Sequence, residues 1–317
     1  MKNPARPRQL AALLAATLLP LTSVAQTTTP RNVFSDDFTS ASRDGWYSSN
    51  NPATTVNYTP GTAGDPGSPG ALTLVGGGAT AMHLLHYLDP KTTLAVGDEI
   101  KVRFTYTLSA ASTATQLRFG LFDSNDSAKV TGDGHNTDGT ATSSGGVATG
   151  FNNYTGYRAI INMAQGTSSR LDFADRAATS SPQHLLTSNA AYTGTLGTID
   201  TTDSTNSLLL GAGQTFSVTF TLTRATASTL NLFLSVSGVD KDSNSFAYSI
   251  TATDSTAIVT AFDTFAFSLN NSSGVNLGMT GITITHTSSP IPEPATVALS
   301  LGLAAALLFV ARRHLRK

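Results

Sequence analysis

Two eleven-residue stretches limit what this chain can become more than anything else in it. Asp98 to Leu108, DEIKVRFTYTL, puts Ile100, Val102, Phe104, Tyr106 and Leu108 on one side of an extended chain, with Lys101, Arg103, Thr105 and Thr107 on the other. Gln214 to Arg224, QTFSVTFTLTR, repeats the pattern with Phe216, Val218, Phe220 and Leu222. A period of two gives a strand one apolar face; on a helix the same residues would scatter around the axis. Shorter copies run along the chain at Val33–Phe38, Gln116–Phe122, Gly156–Met163, Thr229–Ser237, Phe246–Ala252, Asp263–Asn270 and Met279–His286. Ala71–Val75 and Ala81–Leu88 read as two strands around the turn Gly76-Gly77-Gly78, and Ser169–Ala174 as the hairpin partner of Gly156–Met163.

About a dozen strands between turns predict an all-β, antiparallel β-sandwich, one face of each sheet inward and the other in water. No convincing amphipathic helix interrupts 31–287. Residues 48–70, rich in Pro and Gly, and 123–150, rich in Gly, Asp, Ser and Thr, read as loops. The segment 175–206 carries little pattern.

Both ends differ from this body. Lys2, Arg6 and Arg8 precede an apolar run, Leu10–Leu19, which Pro20 breaks. Ser23-Val24-Ala25 offers small residues for cleavage between Ala25 and Gln26, so residues 1–25 read as a secretory signal peptide. The Sec translocon and signal peptidase are the expected partners. At the other end, 295–311 is free of charge. As a helix it spans about 26 Å, against roughly 30 Å of hydrocarbon. Its eight strongly apolar side chains favour insertion by about 2.4 to 4.8 kcal/mol. Arg312, Arg313, Arg316 and Lys317 follow at once. Cations beside a span stay in the cytoplasm, so the tip 312–317 is expected inside and the body outside.

The tripeptide Pro292-Glu293-Pro294, the short helix 295–311 and the basic tip together resemble the PEP-CTERM sorting signal. The resemblance implies an exosortase that recognises the tail and cuts near the motif. It also implies transient anchoring in the inner membrane, a final place in the bacterial cell envelope or on the cell surface, and a link to exopolysaccharide. It covers only the last part of the chain. The layout is then signal peptide 1–25, one β-sandwich ectodomain 26–289, PEP linker 290–294, transmembrane helix 295–311 and tip 312–317.

The body resembles secreted domains of the concanavalin-like jelly-roll type, more loosely. VFSDDF followed by GW, LAVGDEIKVRFTYTL, TQLRFGLFDSN, GQTFSVTFTLTR and TLNLFLSVSG carry the likeness. It implies a jelly-roll sandwich.

Charge and residue inventory narrow the function. The body holds twelve Lys and Arg against nineteen Asp and Glu, a net charge of −7, which argues against nucleic acid as a partner. The chain has no cysteine, so disulfides and thiolate sites are excluded. Glycoside hydrolysis needs two carboxylates at a set separation. The Glu-x-Asp-x-x-Glu pattern of jelly-roll glucanases does not occur, Glu99 reads as a solubility residue, and Asp36 and Asp37 are adjacent on a strand and point apart. Asp123, Asn125, Asp126, Asp133, Asn136 and Asp138 are rich in oxygen ligands and form a weak calcium candidate, without EF-hand spacing; a solvated loop is the preferred reading. His83 and His86 fall on opposite faces of a strand, and His135, His184, His286 and His314 have no sequence partners, so no zinc site is expected. Trp46, Tyr47, Tyr58, Tyr154 and Tyr157 are candidates for sugar stacking, with Trp46 equally a core anchor. The expectation is a protein with no cofactor and no catalytic activity, structural or associated with an exopolysaccharide matrix. The alternative is a lectin-like glycan-binding module, and a glycoside hydrolase stands behind both.

Overall fold

The computed structural model describes residues 28–40, 45–49, 56–59, 70–78, 82–109, 116–140, 145–162, 169–187, 190–201, 212–240, 242–270 and 272–289, with Gly302, Ala306 and Arg312 singly. Thr29–Ser289 forms one compact unit. It is an antiparallel sandwich of two sheets, the class the alternation predicts.

Fifteen strands are described: β1 Arg31–Asp36, β2 Trp46–Ser48, β3 Val56–Thr59, β4 Ala71–Gly78, β5 Met82–Thr93, β6 Glu99–Leu108, β7 Gln116–Asp123, β8 Thr155–Asn162, β9 Ser169–Arg176, β10 Tyr192–Thr201, β11 Thr215–Arg224, β12 Leu230–Val239, β13 Ser245–Asp254, β14 Ala261–Asn270 and β15 Ser272–Thr287. One sheet has eight strands in the order β13-β12-β11-β6-β15-β4-β3, with β1 added along β15. The other has seven, β10-β9-β8-β7-β14-β5-β2.

The two stretches of strongest alternation become neighbours at the centre of the eight-stranded sheet. Val218 lies opposite Phe104, Phe220 opposite Val102 and Leu222 opposite Ile100. All six are buried. Burying each such side chain contributes roughly 1.5–3 kcal/mol, so the shared inward face sets the register. Rings from both sheets meet between them. Phe104 and Phe119 pack edge to face at 5.1 Å, and Phe119 meets Phe220 at 5.8 Å. Trp46 is a core anchor, 3 % exposed, with Phe267 at 5.7 Å and its indole N–H donating to Asp36 Oδ2 at 2.9 Å.

Several sequence expectations need correction. Residues 48–70 are not all loop, because β3 lies within them and pairs with β4. Gly76-Gly77-Gly78 is not a hairpin turn: these glycines finish β4, two of them opposite Ser272 and Ser273 of β15, while β5 belongs to the other sheet. The weakly patterned 175–206 contains β10, which pairs with β9. The hairpin of β8 with β9 forms as expected.

The body ends at a clamp. Asp98 accepts from the backbone N–H of Ser289 at 2.7 Å and of Ala95 at 3.0 Å, and lies 3.1 Å from His286 Nε2. Gly97 has φ +90°, and a Cβ there would meet the Ser289 side chain at 2.5 Å, so this close approach requires glycine. In the tail, Gly302, Ala306 and Arg312 are helical and exposed. Among the described residues no helix is long and apolar enough to cross a membrane. Ala25, Gln26, Pro292, Glu293, Pro294, Arg313, Arg316 and Lys317 lie outside the described residues, as does most of 295–311.

Candidate functional site

The seven-stranded sheet departs from the rule of one dry face and one wet face. Its strand β7 is buried at all positions but the first. Segments around 124–154 and 177–191 lie over its outer side. They make a second core of Val130, Phe151, Tyr154, Leu185 and Leu186 against Leu85, Phe122 and Ala266 of the sheet. A Cβ at Gly120 would lie 2.7 Å from the Phe122 ring, so the bare glycine lets that ring lie flat beneath the cover.

Three arginines on this outer face hold the cover. Arg158 donates to the Leu186 carbonyl at 3.1 Å and stacks on Tyr192, 3.9 Å from the ring centre. Arg118 donates to Gln116 Oε1 at 2.6 Å and reaches the Leu186 carbonyl at 3.5 Å. Arg176, 1 % exposed, donates to the carbonyls of Tyr154, of Phe151 at 2.8 Å and of Gln183 at 3.4 Å. Burial, with Arg158 adding repulsion, pulls the Arg118 guanidinium down to about 10. Burial pushes the phenols of Tyr87 and Tyr192 up to about 12. Perturbed titration in a buried layer is one mark of an active site. In this layer the polar heads bond mainly to cover backbone, which is the work of a structural clamp.

The histidines are not scattered in space. His83 of β5 and His135 of the cover are 3 % and 0 % exposed, with their Nε2 atoms 3.1 Å apart. His135 Nδ1 lies 3.2 Å from the Gly132 carbonyl, which only accepts, so Nδ1 carries the proton. Its Nε2 then accepts from His83 Nε2–H. Burial pulls both imidazoles below the ordinary histidine range, with the facing ring and His184 adding to it at His83. His86 points to the inner side, stacked on Phe34 at 4.0 Å.

The calcium candidates are spent on holding the chain. Asp123 Oδ1 accepts from Lys91 Nζ and the Asn125 N–H, each at 2.8 Å, and Asp126 accepts from the same ammonium. Asp133 caps the Ser48 N–H at 2.8 Å, and Asp138 accepts from the Thr140 hydroxyl and N–H. Asn136 bonds the Thr140 hydroxyl at 2.7 Å, and Asn125 donates to the Asn153 carbonyl at 2.6 Å. Among the described residues no three His, Asp or Glu side chains converge as a metal site would need. The solvated-loop reading also needs correction, since Ser124, Val130 and His135 within it are buried. Calcium at millimolar concentration is therefore expected to leave the melting temperature unchanged. A calcium-dependent rise of several degrees would return the segment to ion binding.

An open site lies on the eight-stranded sheet. A cleft of about 540 Å³ is lined by Ser35, Asp36, Asp37, Arg103, Thr105, Ser217, Thr219, Gly281 and Thr283. Register brings these together from four strands. Ser35 lies opposite Thr283, Thr283 opposite Arg103, and Arg103 opposite Thr219. The next row runs Gly281, Thr105, Ser217. Thr280 is the extra residue of a bulge between Met279 and Gly281, its hydroxyl 2.6 Å from that of Thr105. Gly281 leaves the floor bare. Arg103 is exposed and, among the described residues, makes no hydrogen bond or ion pair, whereas its neighbour Lys101 is paired with Glu99. Asp36 and Asp37 both border the cleft, but their carboxyls part as expected: Asp36 lies opposite buried Ile282 and turns to the Trp46 indole, while Asp37 is exposed. The strand ends at Asp36, and Phe38 turns the chain at φ 57°.

The aromatic candidates separate. Tyr154 and Tyr157 are fully buried and are not available for stacking. Tyr157 instead donates to Asp254 at 2.8 Å. Tyr47 is half-buried beside Tyr87, and Tyr58 lies on β3. Sequence reasoning missed Arg103 as a site residue. Its place on the outward side of β6 was visible, but nothing local marks which strands flank it.

No family model and no curated protein matches the chain. Among solved structures it is similar to peanut lectin at 13% identity and TM-score 0.42, over 84% of this chain and 100% of that one. It is similar to lectin II from Ulex europaeus at 10% identity and TM-score 0.42, over 80% and 97%. A third is the carbohydrate recognition domain of Emp46p in its metal-free form, at 11% identity and TM-score 0.44, over 81% and 97%.

Proposed function

We propose that this chain is an exported, non-catalytic protein of the bacterial cell envelope, routed through a PEP-CTERM signal, whose sandwich holds polysaccharide in the cleft around Arg103. The routing rests on the sequence at both ends. The leader directs the chain to the Sec translocon and signal peptidase. The segment 295–311 then holds it in the inner membrane, with Arg312, Arg313, Arg316 and Lys317 in the cytoplasm. An exosortase acts near Pro292-Glu293-Pro294, and the body continues to the envelope or surface. A short, weakly inserting helix suits a temporary hold better than a permanent anchor. The mass of the surface form is expected to lack Arg312–Lys317; a surface form that keeps them would refute processing.

One observation carries the binding reading: an exposed, unpaired guanidinium at the centre of a cleft whose other polar groups are mostly hydroxyls. Such a lining offers donors and acceptors in a row, which suits a polyhydroxylated chain. The two nearest carboxylates do not form a hydrolytic pair. Asp36 already accepts from the Phe38 N–H at 2.7 Å and the Trp46 indole. The Thr39 hydroxyl and N–H hold the Asp37 carboxyl below its usual range, which unsuits it as the general acid that glycoside cleavage needs. The test is retention of the full-length protein, in detergent, on a panel of immobilised polysaccharides. Retention on at least one is expected, and failure on all would leave the body a purely structural role.

A further inference from the structure

We infer that the cleft is selective for an acidic polysaccharide, with a sugar carboxylate seated on Arg103. This inference rests on the binding reading above and names its substrate class. A neutral glycan needs only donors and acceptors, and hydroxyls and carboxylates supply those without a cation. A guanidinium adds a planar fork of donors matched to a carboxylate. On four other arginines that fork is engaged: Arg118, Arg158, Arg176 and Arg224 each donate to protein oxygens, while exposed Arg31, at the start of β1, lies outside the cleft lining. Arg103 is the arginine in the open cleft, and among the described residues it bonds to nothing.

The strand neighbours leave that charge available at contact range, although the body's net charge of −7 opposes a polyanion at long range. Cross-strand partners stand about 5 Å away on either side, and both are threonines, Thr219 and Thr283. Their hydroxyls flank an incoming carboxylate without competing for the guanidinium. Exposed Asp37 stands at the wall, where it accepts from sugar hydroxyls while its bonds from the Thr39 N–H and hydroxyl keep it off the arginine; Asp36 is turned to the Trp46 indole. The row Ser35–Thr283–Arg103–Thr219 crosses four strands at about 4.8 Å per step, a groove open along its length. That shape takes a chain lying across the sheet better than one small anion. Among the described residues no tryptophan or tyrosine lines the cleft, so affinity comes from charge and hydrogen bonds and falls with salt.

The experiment measures binding of the full-length protein in detergent to four soluble polymers: polygalacturonate, its methyl ester, dextran sulfate and neutral dextran. Polygalacturonate is expected to bind at least tenfold more tightly than its ester or dextran, and to lose most of that affinity as salt rises. Arg103→Ala is expected to abolish the preference, and Arg103→Lys to restore it only in part, because a point charge replaces a fork. Gly281→Leu is expected to block binding of every polymer. A Cβ at Gly281 meets only the Asp36 carbonyl, at an ordinary 3.8 Å, so this variant fills the cleft and is expected to keep the parental melting temperature. Equal binding of ester and acid, blocked by Gly281→Leu but untouched by Arg103→Ala, would overturn acid selectivity and leave the glycan reading standing. Dextran sulfate binding as tightly as polygalacturonate would overturn the carboxylate assignment. Binding that survives Gly281→Leu, or no binding to any polymer, would overturn both.

Discussion

Replacing Arg176 with methionine is expected to loosen the cover over the seven-stranded sheet by about 3 kcal/mol, a hundredfold or more in local opening. Methionine keeps the apolar stem but removes donors from the carbonyls of Tyr154, Phe151 and Gln183, which come from both segments of the cover. Hydrogen bonds from a charged donor contribute roughly 1.5–3 kcal/mol each, offset in part because a buried cation no longer needs desolvating. The loss is local, since Arg176 faces away from the main core. Amide exchange separates the outcomes. The N–H groups of Tyr154, Ala177 and Thr179, bonded to Phe151, Ala191 and Asn152, are expected to exchange a hundredfold faster, and those of β6 and β11 at the parental rate. Parental exchange in the cover would show that its apolar contacts hold it without the arginine.

Mild acid is expected to destabilise the body steeply. His83, His86 and His135 all titrate below the ordinary histidine value, burial being the largest cause at each. The folded state keeps them neutral, while the unfolded chain takes up protons near pH 6.5. The unfolded state therefore binds more protons below that pH, and stability falls as pH falls from about 6.5 through the lowered folded values. The slope reaches about 1.4 kcal/mol per pH unit for each histidine, or about 2.7 for the His83–His135 pair.

The surroundings fix the sign for each ring. His83 faces His135 and His184, with no carboxylate among its causes. His135 has Asp133, Asp138 and the Gly132 carbonyl to soften the penalty, and His86 has Asp36. Asp98 and Asp263 are net lowered: burial raises each, but the bonds from Ser289, Ala95 and His286 to the first, and from Ser124 and Lys129 to the second, outweigh it. Their own contribution is lost only at more acid pH, outside this window. Urea midpoints between pH 7.5 and 5 measure the effect. His83→Gln is expected to flatten the slope by about a third. A parental midpoint that does not move, or an unchanged slope in the variant, would show that the pair stays unprotonated for another reason.

Parts of both features were legible in the residues. Tyr157 sits at an inward position of β8, out of step with Arg158, so its burial followed from the alternation even though its ring also suited sugar stacking. Arg103 was visible as an outward residue of β6. The cover was not visible, because Val130, Phe151, Tyr154 and the pair Leu185-Leu186 are scattered among polar residues, with no period to reveal a shared face. His83 and His135 lie 52 positions apart, and Arg176 bonds to carbonyls that any sequence would supply.

By itself, the sequence determined the strand class, the inward faces of β6 and β11, the acidic body and the expectation of export and sorting carried at the two ends. All of these are local: a period of two, a charge count, an apolar run beside cations. Tertiary structure alone decided that one sheet is covered and the other bears an open cleft. Both depend on which strands become neighbours and in what register. Pairing across more than a hundred residues, as between Thr283 and Arg103, is set by the whole core packing at once and leaves no mark in either strand alone.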